Sequence, residues 1–232
     1  MIRPEVNERN LTEMISTKEV MIPTKEEIYQ ALCERHTSEI QEKLAAGRVA
    51  IAGLGGLGST VAVALARAGV GHLHLIDFDK VDISNLNRQQ YRAKDIGREK
   101  TEALTEILLD INPYLEIISD TVKITPENAK ELFAGEKIVC EAFDRPEEKA
   151  MLTDIFFEEM YPEKILVAAS GMAGYGSSNL IHTRKVTKHF YLCGDETNGL
   201  EGGFSLIAPR VGVCAAHEAN MILRILVGEL EP

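Results

Sequence analysis

Short apolar runs alternate with stretches of helical spacing along this chain, and the alternation predicts its layout. Residues 48–52 (Arg48-Val49-Ala50-Ile51-Ala52) form a brief run with β-branched members, the pattern of a strand buried on both faces. A helix rich in Ala, Val and Leu is predicted over 59–68, then strands over 72–77, 115–119, 137–142 and 165–170. Helices fill the gaps at about 100–110, 126–133 and 146–160. Such β-α repetition predicts an α/β fold, a Rossmann-like doubly wound and mainly parallel sheet with helices on both faces. After Ser170 the pattern changes. Two short strands near 179–182 and 189–192 read as antiparallel additions in the C-terminal part, and a helix over 211–227 closes the chain at Gly228.

The N-terminal part divides in two. Residues 1–23 are polar without clear periodicity and are expected to form an arm or extension. Residues 24–232 read as one domain. It opens with a single helix over 24–46, with Thr24 capping and Glu27 completing a capping box. Gly194 to Gly203, rich in glycine and acids, is predicted to be a mobile loop.

The turn after the first strand carries chemistry. Gly53-Leu54-Gly55-Gly56-Leu57-Gly58 stands between strand and helix, the context in which Gly-x-Gly-x-x-Gly cradles phosphate. The first glycine permits the tight turn, the second lets backbone approach the ligand, and the third lets helix and strand pack closely. The helix N-terminus adds free N–H groups and a positive dipole end. Asp77, nineteen residues past Gly58, is placed to accept hydrogen bonds from a ribose. A polar stretch from Phe78 to Tyr91, leaving the carboxyl end of a strand, belongs at the ligand crevice.

Arg88 in that stretch and Lys100 after it bring two cations toward the glycine turn. Two cations suit a triphosphate better than the pyrophosphate of a dinucleotide. Asp144, just beyond the fourth strand on the same edge, faces the phosphates, and a bridging Mg²⁺ explains a carboxylate there. Each residue also has a plainer reading: exposed Arg and Lys are usually solvated, and Asp144 can cap the helix that begins at Pro146. An NAD-dependent oxidoreductase and a nucleotide-binding scaffold without catalysis are the rival classes.

Charge and cysteine usage narrow the field further. A net charge of −11 disfavours nucleic acid and anionic membrane surfaces as partners. No apolar run is long enough to span a membrane, and the first 30 residues lack the apolar core of a signal peptide. Cys33, Cys140, Cys193 and Cys214 form no CxxC pair, which predicts reduced thiols, no structural zinc and a cytoplasmic location. His72 and His74 alternate with apolar residues and are read as structural.

The glycine turn, Ala68-Gly69-Val70-Gly71, Asp77-Phe78-Asp79, Ser84-Asn85-Leu86-Asn87-Arg88-Gln89, Gly97-x-x-Lys100 and Ile111-Asn112-Pro113 follow in order. Together they resemble the adenylyltransferases that activate ubiquitin-like sulfur carriers, the ThiF/MoeB group of the ubiquitin-activating superfamily. The resemblance covers about 48–228. Glu141-Ala142-Phe143-Asp144 and Ala208-Pro209-Arg210-Val211 look most like a short bacterial ThiF type used in thiamine synthesis.

That resemblance implies ATP and Mg²⁺ as cofactors, and adenylylation of the C-terminal Gly-Gly carboxylate of a small ThiS-like carrier. Gly53, Gly55, Gly56, Leu57 and Gly58 would cradle phosphate, Asp77 would hold the ribose, and Asp79, Ser84, Asn85, Arg88 and Gln89 would line the nucleotide. Arg88 and Lys100 would stabilise phosphate charge, and Asp144 would hold the metal. A molybdopterin-type carrier is the alternative substrate; a modified tRNA base is disfavoured by the charge balance. The resemblance also implies a homodimer, in which Arg35 would reach the phosphates of a partner subunit; a plain helix-surface arginine is the competing reading. The chain departs from the group in lacking paired CxxC motifs, in carrying Glu34-Arg35-His36 for its N-terminal Arg-rich motif, and in reading Asp144-Arg145 for Asp-Asn. Cys193 is the best placed thiol for an acyl transfer, with a structural cysteine as the competing reading.

Overall fold

The computed structural model describes residues 22–197 and 205–232. Helices α1 (Lys25–His36) and α2 (Ser38–Ala45) lead into β1 (Arg48–Ala52), α3 (Gly56–Ala68) and β2 (His72–Ile76). Then come α4 (Lys100–Ile111), β3 (Glu116–Asp120), the short α5 (Ala129–Leu132), β4 (Ile138–Glu141), α6 (Pro146–Ile155) and β5 (Ile165–Ala169). The hairpin β6 (His182–Thr187) and β7 (Phe190–Gly194) precedes the long α7 (Ala208–Val227).

Among the described residues seven strands form one sheet in the order β3-β2-β1-β4-β5-β7-β6. All pairings are parallel except β6 with β7. The chain runs outward one way through β2 and β3, then returns to place β4 on the other side of β1. Between the carboxyl ends of β1 and β4 lies the switch point where such sheets open a crevice. β1, β4 and β5 are almost wholly buried, as their unbroken apolar runs require. One core lies between the sheet and α2, α3, α4 and α7; the second lies on the opposite face, under α5, α6 and the π turn at Phe156–Met160.

Several expectations need correction. The single N-terminal helix is broken at Thr37, which takes φ 78° and caps α2 through its side chain and the Ile40 N–H. The local competition of a Thr side chain for backbone N–H groups ends α1 there. Only β6 is antiparallel to the sheet. β7 pairs in parallel with β5, because the hairpin folds back and inserts its second arm between β5 and β6. Asn179 belongs to a 3₁₀ turn (Ser178–Leu180) and not to a strand. The helix expected from Pro126 is confined to Ala129–Leu132, and that expected over 146–160 finishes as a π turn. The arm (through residue 21) and the loop of 194–203 from residue 198 onward lie outside the described residues.

On β2, His72 meets Glu116 at 2.9 Å, while His74 meets two carboxylates, Asp120 at 2.8 Å and Glu136 at 3.2 Å. Burial works to lower the His74 value, but the Glu136 and Asp120 carboxylates raise it overall. A ring that serves two carboxylates needs both of its protons. Its stabilisation is therefore fully present below the unfolded value of about 6.5 and is lost as pH rises through the raised folded value. Denaturant unfolding across this window should show stability falling with rising pH, and His74→Gln should flatten that slope. An unchanged slope in the variant would contradict this assignment.

Candidate active site

At the switch point, the turn after β1 is built by two glycine positions that no other residue fits. Gly53 has φ 90°, and a Cβ there would meet the Ala142 carbonyl oxygen at 3.0 Å. A Cβ on Gly58 would lie 1.9 Å from the Gly53 carbonyl oxygen, so helix and turn touch through backbone alone. α3 then begins at Gly56 with no side-chain cap. Its first N–H groups, with the positive end of the helix dipole, are left for an anion.

A cavity of about 320 Å³ opens against this turn. Of the residues picked out from the sequence, Gly53, Gly55, Gly56, Leu57, Asp77, Asp79, Arg88, Gln89, Lys100 and Asp144 all line it. Gly58, Ser84 and Asn85 do not. Gly58 is buried behind the turn, whereas Ser84 and Asn85 shape a 3₁₀ turn (Ile83–Asn87) closed by Asp82. Asp82 accepts the Ser84 N–H at 2.8 Å, and the Asn85 side chain accepts the Asp82 N–H at 3.0 Å. The turn delivers Arg88 and Gln89 to the cavity. Arg88 lies across Gly56 and donates to Asn87 at 2.9 Å. Its Nε, and the Gln89 amide oxygen, are buried without a hydrogen-bond partner. Buried polar atoms of this kind are rare and mark a place for a ligand or water.

Asp77 follows β2 directly and is deeply buried. Its carboxylate accepts N–H groups from Leu54 at 2.6 Å and Asp79 at 2.8 Å. Burial pushes its carboxyl up, against the lowering effects of Lys100 and those N–H groups. Lys100 stands 3.7 Å from Asp77 and donates to Asp79 at 2.9 Å. The lysine therefore serves two carboxylates at the cavity wall, a commitment its sequence position did not disclose. Asp144 is exposed on the cavity rim and makes no hydrogen bond or ion pair within the described residues.

The pairings of three charged residues were not read from the sequence. Lys149 on α6 lines the cavity and donates to both oxygens of Glu141, at 2.9 and 3.1 Å. Buried Arg210, in the first turn of α7, donates to the Gly176 and Ser177 carbonyls at 2.7 and 2.6 Å and pairs with Asp195. It thereby ties the segment after β5 to the end of β7. Glu218, fully buried on α7, stands 3.8 Å from the Cys140 thiol, and burial pushes its carboxyl up. The missing signal in each case is a pairing between different elements, invisible in local spacing.

Cys193 is fully buried between Thr183 and α7, and burial pushes its thiol up to about 12. A thiol so placed is protonated near neutral pH and lies outside the cavity lining, which favours its structural reading. All four cysteines are free. Among the described residues, no cluster of three or more His, Cys, Asp or Glu could hold a metal, and no helix is long and apolar enough to cross a membrane. Arg35 stands in the exposed last turn of α1, a helix with no buried residue.

A doubly wound sheet with a phosphate-type turn at its switch point defines a nucleotide-binding α/β protein. The ThiF family model matches residues 29–232, and the chain belongs to that family. It is 31% identical over 196 residues to the adenylyltransferase and sulfurtransferase UBA4 of Candida glabrata, covering 81% of this chain and 44% of the relative. It is 38% identical over 137 residues to uba4 of Aspergillus terreus, covering 59% of this chain and 28% of that one. The chain thus spans less than half the length of these relatives. Among solved structures it is similar to E. coli tRNA N6-threonylcarbamoyladenosine dehydratase, TcdA, in complex with ATP. The TM-score is 0.77 at 21% identity, over 88% of this chain and 96% of TcdA. E. coli MccB with ATP gives 0.64 at 22% identity, over 88% and 65%. Likeness at such identity establishes a shared fold.

Proposed function

We propose that this protein is an ATP-dependent adenylyltransferase acting on the C-terminal carboxylate of a small ubiquitin-like sulfur carrier, the thiamine-type carrier in particular. One observation carries the reading: an uncapped helix N-terminus behind the glycine turn, with unpartnered Arg88 and Gln89 atoms beside it and Asp144 across the same cavity. Family membership and relatives named as adenylyltransferases support it. A molybdopterin-type carrier is the alternative substrate.

In this scheme the backbone of Gly55 to Leu57 and the Arg88 guanidinium take the phosphates, and Asp77 takes the ribose. Lys100, held by Asp77 and Asp79, keeps positive charge at the wall between ribose and phosphates. The carrier's carboxylate oxygen attacks the α-phosphorus, forming an acyl–phosphate bond as the bond to the β-phosphate breaks and pyrophosphate leaves. A carboxylate is already a nucleophile, so no proton moves. The chain's contribution is positioning and stabilisation of charge by preorganised donors. Asp144, with no cation of its own, fits the role of holding Mg²⁺, an ion that binds through one or two carboxylates plus substrate phosphates and would neutralise charge on the latter. The homodimer and the cytoplasmic location belong to the same proposal. α1 buries none of its residues within the chain, leaving Arg35 free to meet a second subunit, and light scattering that gives a monomer would remove that part.

A ligand that binds only the folded state stabilises it, by about 2.7 kcal/mol at a hundred times its Kd. Mg·ATP should therefore raise the melting temperature and NAD should not. Stabilisation by NAD with none from Mg·ATP would overturn the reading in favour of an oxidoreductase.

A further inference from the structure

The cavity contains a cation that the phosphate reading does not use. Lys149 is only 21% exposed in its side chain, and its ammonium rests on both oxygens of Glu141, itself 2% exposed. Glu141 ends β4 and also accepts the Phe143 N–H at 2.8 Å. One buried carboxylate thus fixes both the lysine head and the turn leaving β4. A buried ion pair of this sort adds little stability over apolar packing, because desolvation offsets most of the attraction. An ammonium has three donors, and Glu141 takes two of them.

One donor is left, and the cavity that Lys149 lines has an apolar part. Ile76, Phe78, Val122, Ile124 and Phe143 wall the part of the cavity that starts where Asp77 leaves β2. Apolar-walled, it suits a heterocyclic base beyond a ribose. Lys123 and Glu148, which also line the cavity, pair with one another at 3.7 Å, and the Lys123 ammonium lies 5.6 Å from the centre of the Phe78 ring.

We propose that Lys149 is a specificity-determining residue of the nucleotide site, donating its third N–H to a ring nitrogen of a purine base while Glu141 aims it. The inference rests on the reading of the cavity as an ATP site and adds the group that reads the base. Adenine offers unprotonated ring nitrogens at positions 1, 3 and 7. A lysine ammonium can only donate, so it rewards an acceptor at the matching position and penalises a C–H there.

Titration calorimetry with Mg·ATP and with its 1-deaza, 3-deaza and 7-deaza analogues tests this. The wild type should bind one of the three analogues about tenfold more weakly than ATP, the loss of one charge-assisted hydrogen bond. Lys149→Met should bind that analogue and ATP equally. Because this variant leaves Glu141 buried and unpaired, Glu141→Gln/Lys149→Met is measured beside it; it removes both charges and should show the same equality. Identical analogue penalties in wild type and variants, or no penalty in the wild type, would overturn the inference while leaving ATP binding intact. A wild type that binds none of the four nucleotides would overturn the nucleotide reading and this inference with it.

Discussion

Arg88→Ala and Asp144→Ala are each expected to lower ATP–pyrophosphate exchange by about 10²–10³-fold, the cost of losing one preorganised group aimed at developing charge. Arg88 lies over Gly56 with a buried Nε lacking any protein partner, so removing it deletes a donor left for a ligand or water. Asp144 stands free on the rim, so its removal should spare the fold and affect the metal-dependent part of the rate. Lys100→Ala should lower exchange comparably but also cost stability, because Asp77 and Asp79 lose the ammonium between them. Cys193→Ser should leave exchange nearly intact, since that thiol is buried away from the cavity lining. Exchange that survives Arg88→Ala and Asp144→Ala together would mean that the cavity is not where adenylation occurs.

Gly58→Ala carries the largest expected stability effect. Its added methyl would sit 1.9 Å from the Gly53 carbonyl oxygen, a backbone atom that cannot turn aside as a side chain can. Either α3 moves off β1 or the glycine turn opens. Overpacking of this kind costs about 3 kcal/mol, the upper part of its usual range, and here it also removes the phosphate cradle. Gly212→Ala supplies the opposite sign. Nothing lies within 4 Å of a Cβ at Gly212, inside α7, so alanine should stabilise by roughly 0.5–1 kcal/mol. Denaturant midpoints of the two variants check both. A Gly58→Ala protein with wild-type stability and undiminished Mg·ATP binding would show that the close helix–strand contact is dispensable.

What could be read from the sequence was whatever local spacing encodes. Gly53, Gly55, Gly56, Leu57, Asp77 and Arg88 carry their meaning within one strand-turn-helix unit and the loop that follows, and they line one cavity. Parallel order also followed from β-α alternation, since a parallel partner demands a crossover. The insertion of β7 between β5 and β6 was not legible, because a hairpin looks the same whichever arm joins the sheet. Ser84 and Asn85 were assigned to the nucleotide by their place in the motif; they lie outside the cavity lining, in the turn that delivers Arg88. Lys149 went unnoticed for a related reason. Its partner Glu141 lies across a strand-to-helix turn, and a lysine on an amphipathic helix ordinarily reads as a solvated surface residue.

The central claim is that a carrier's terminal carboxylate is the nucleophile, and pyrophosphate exchange with defined carriers tests it most directly. Small ubiquitin-like carriers ending in Gly-Gly are added one at a time, each also as a form with its terminal carboxylate converted to an amide. The account predicts Mg·ATP-dependent exchange with the free-acid form of one carrier, the thiamine type first among them, and none with its amide. Exchange that proceeds equally with the amide, or without any carrier, would contradict it.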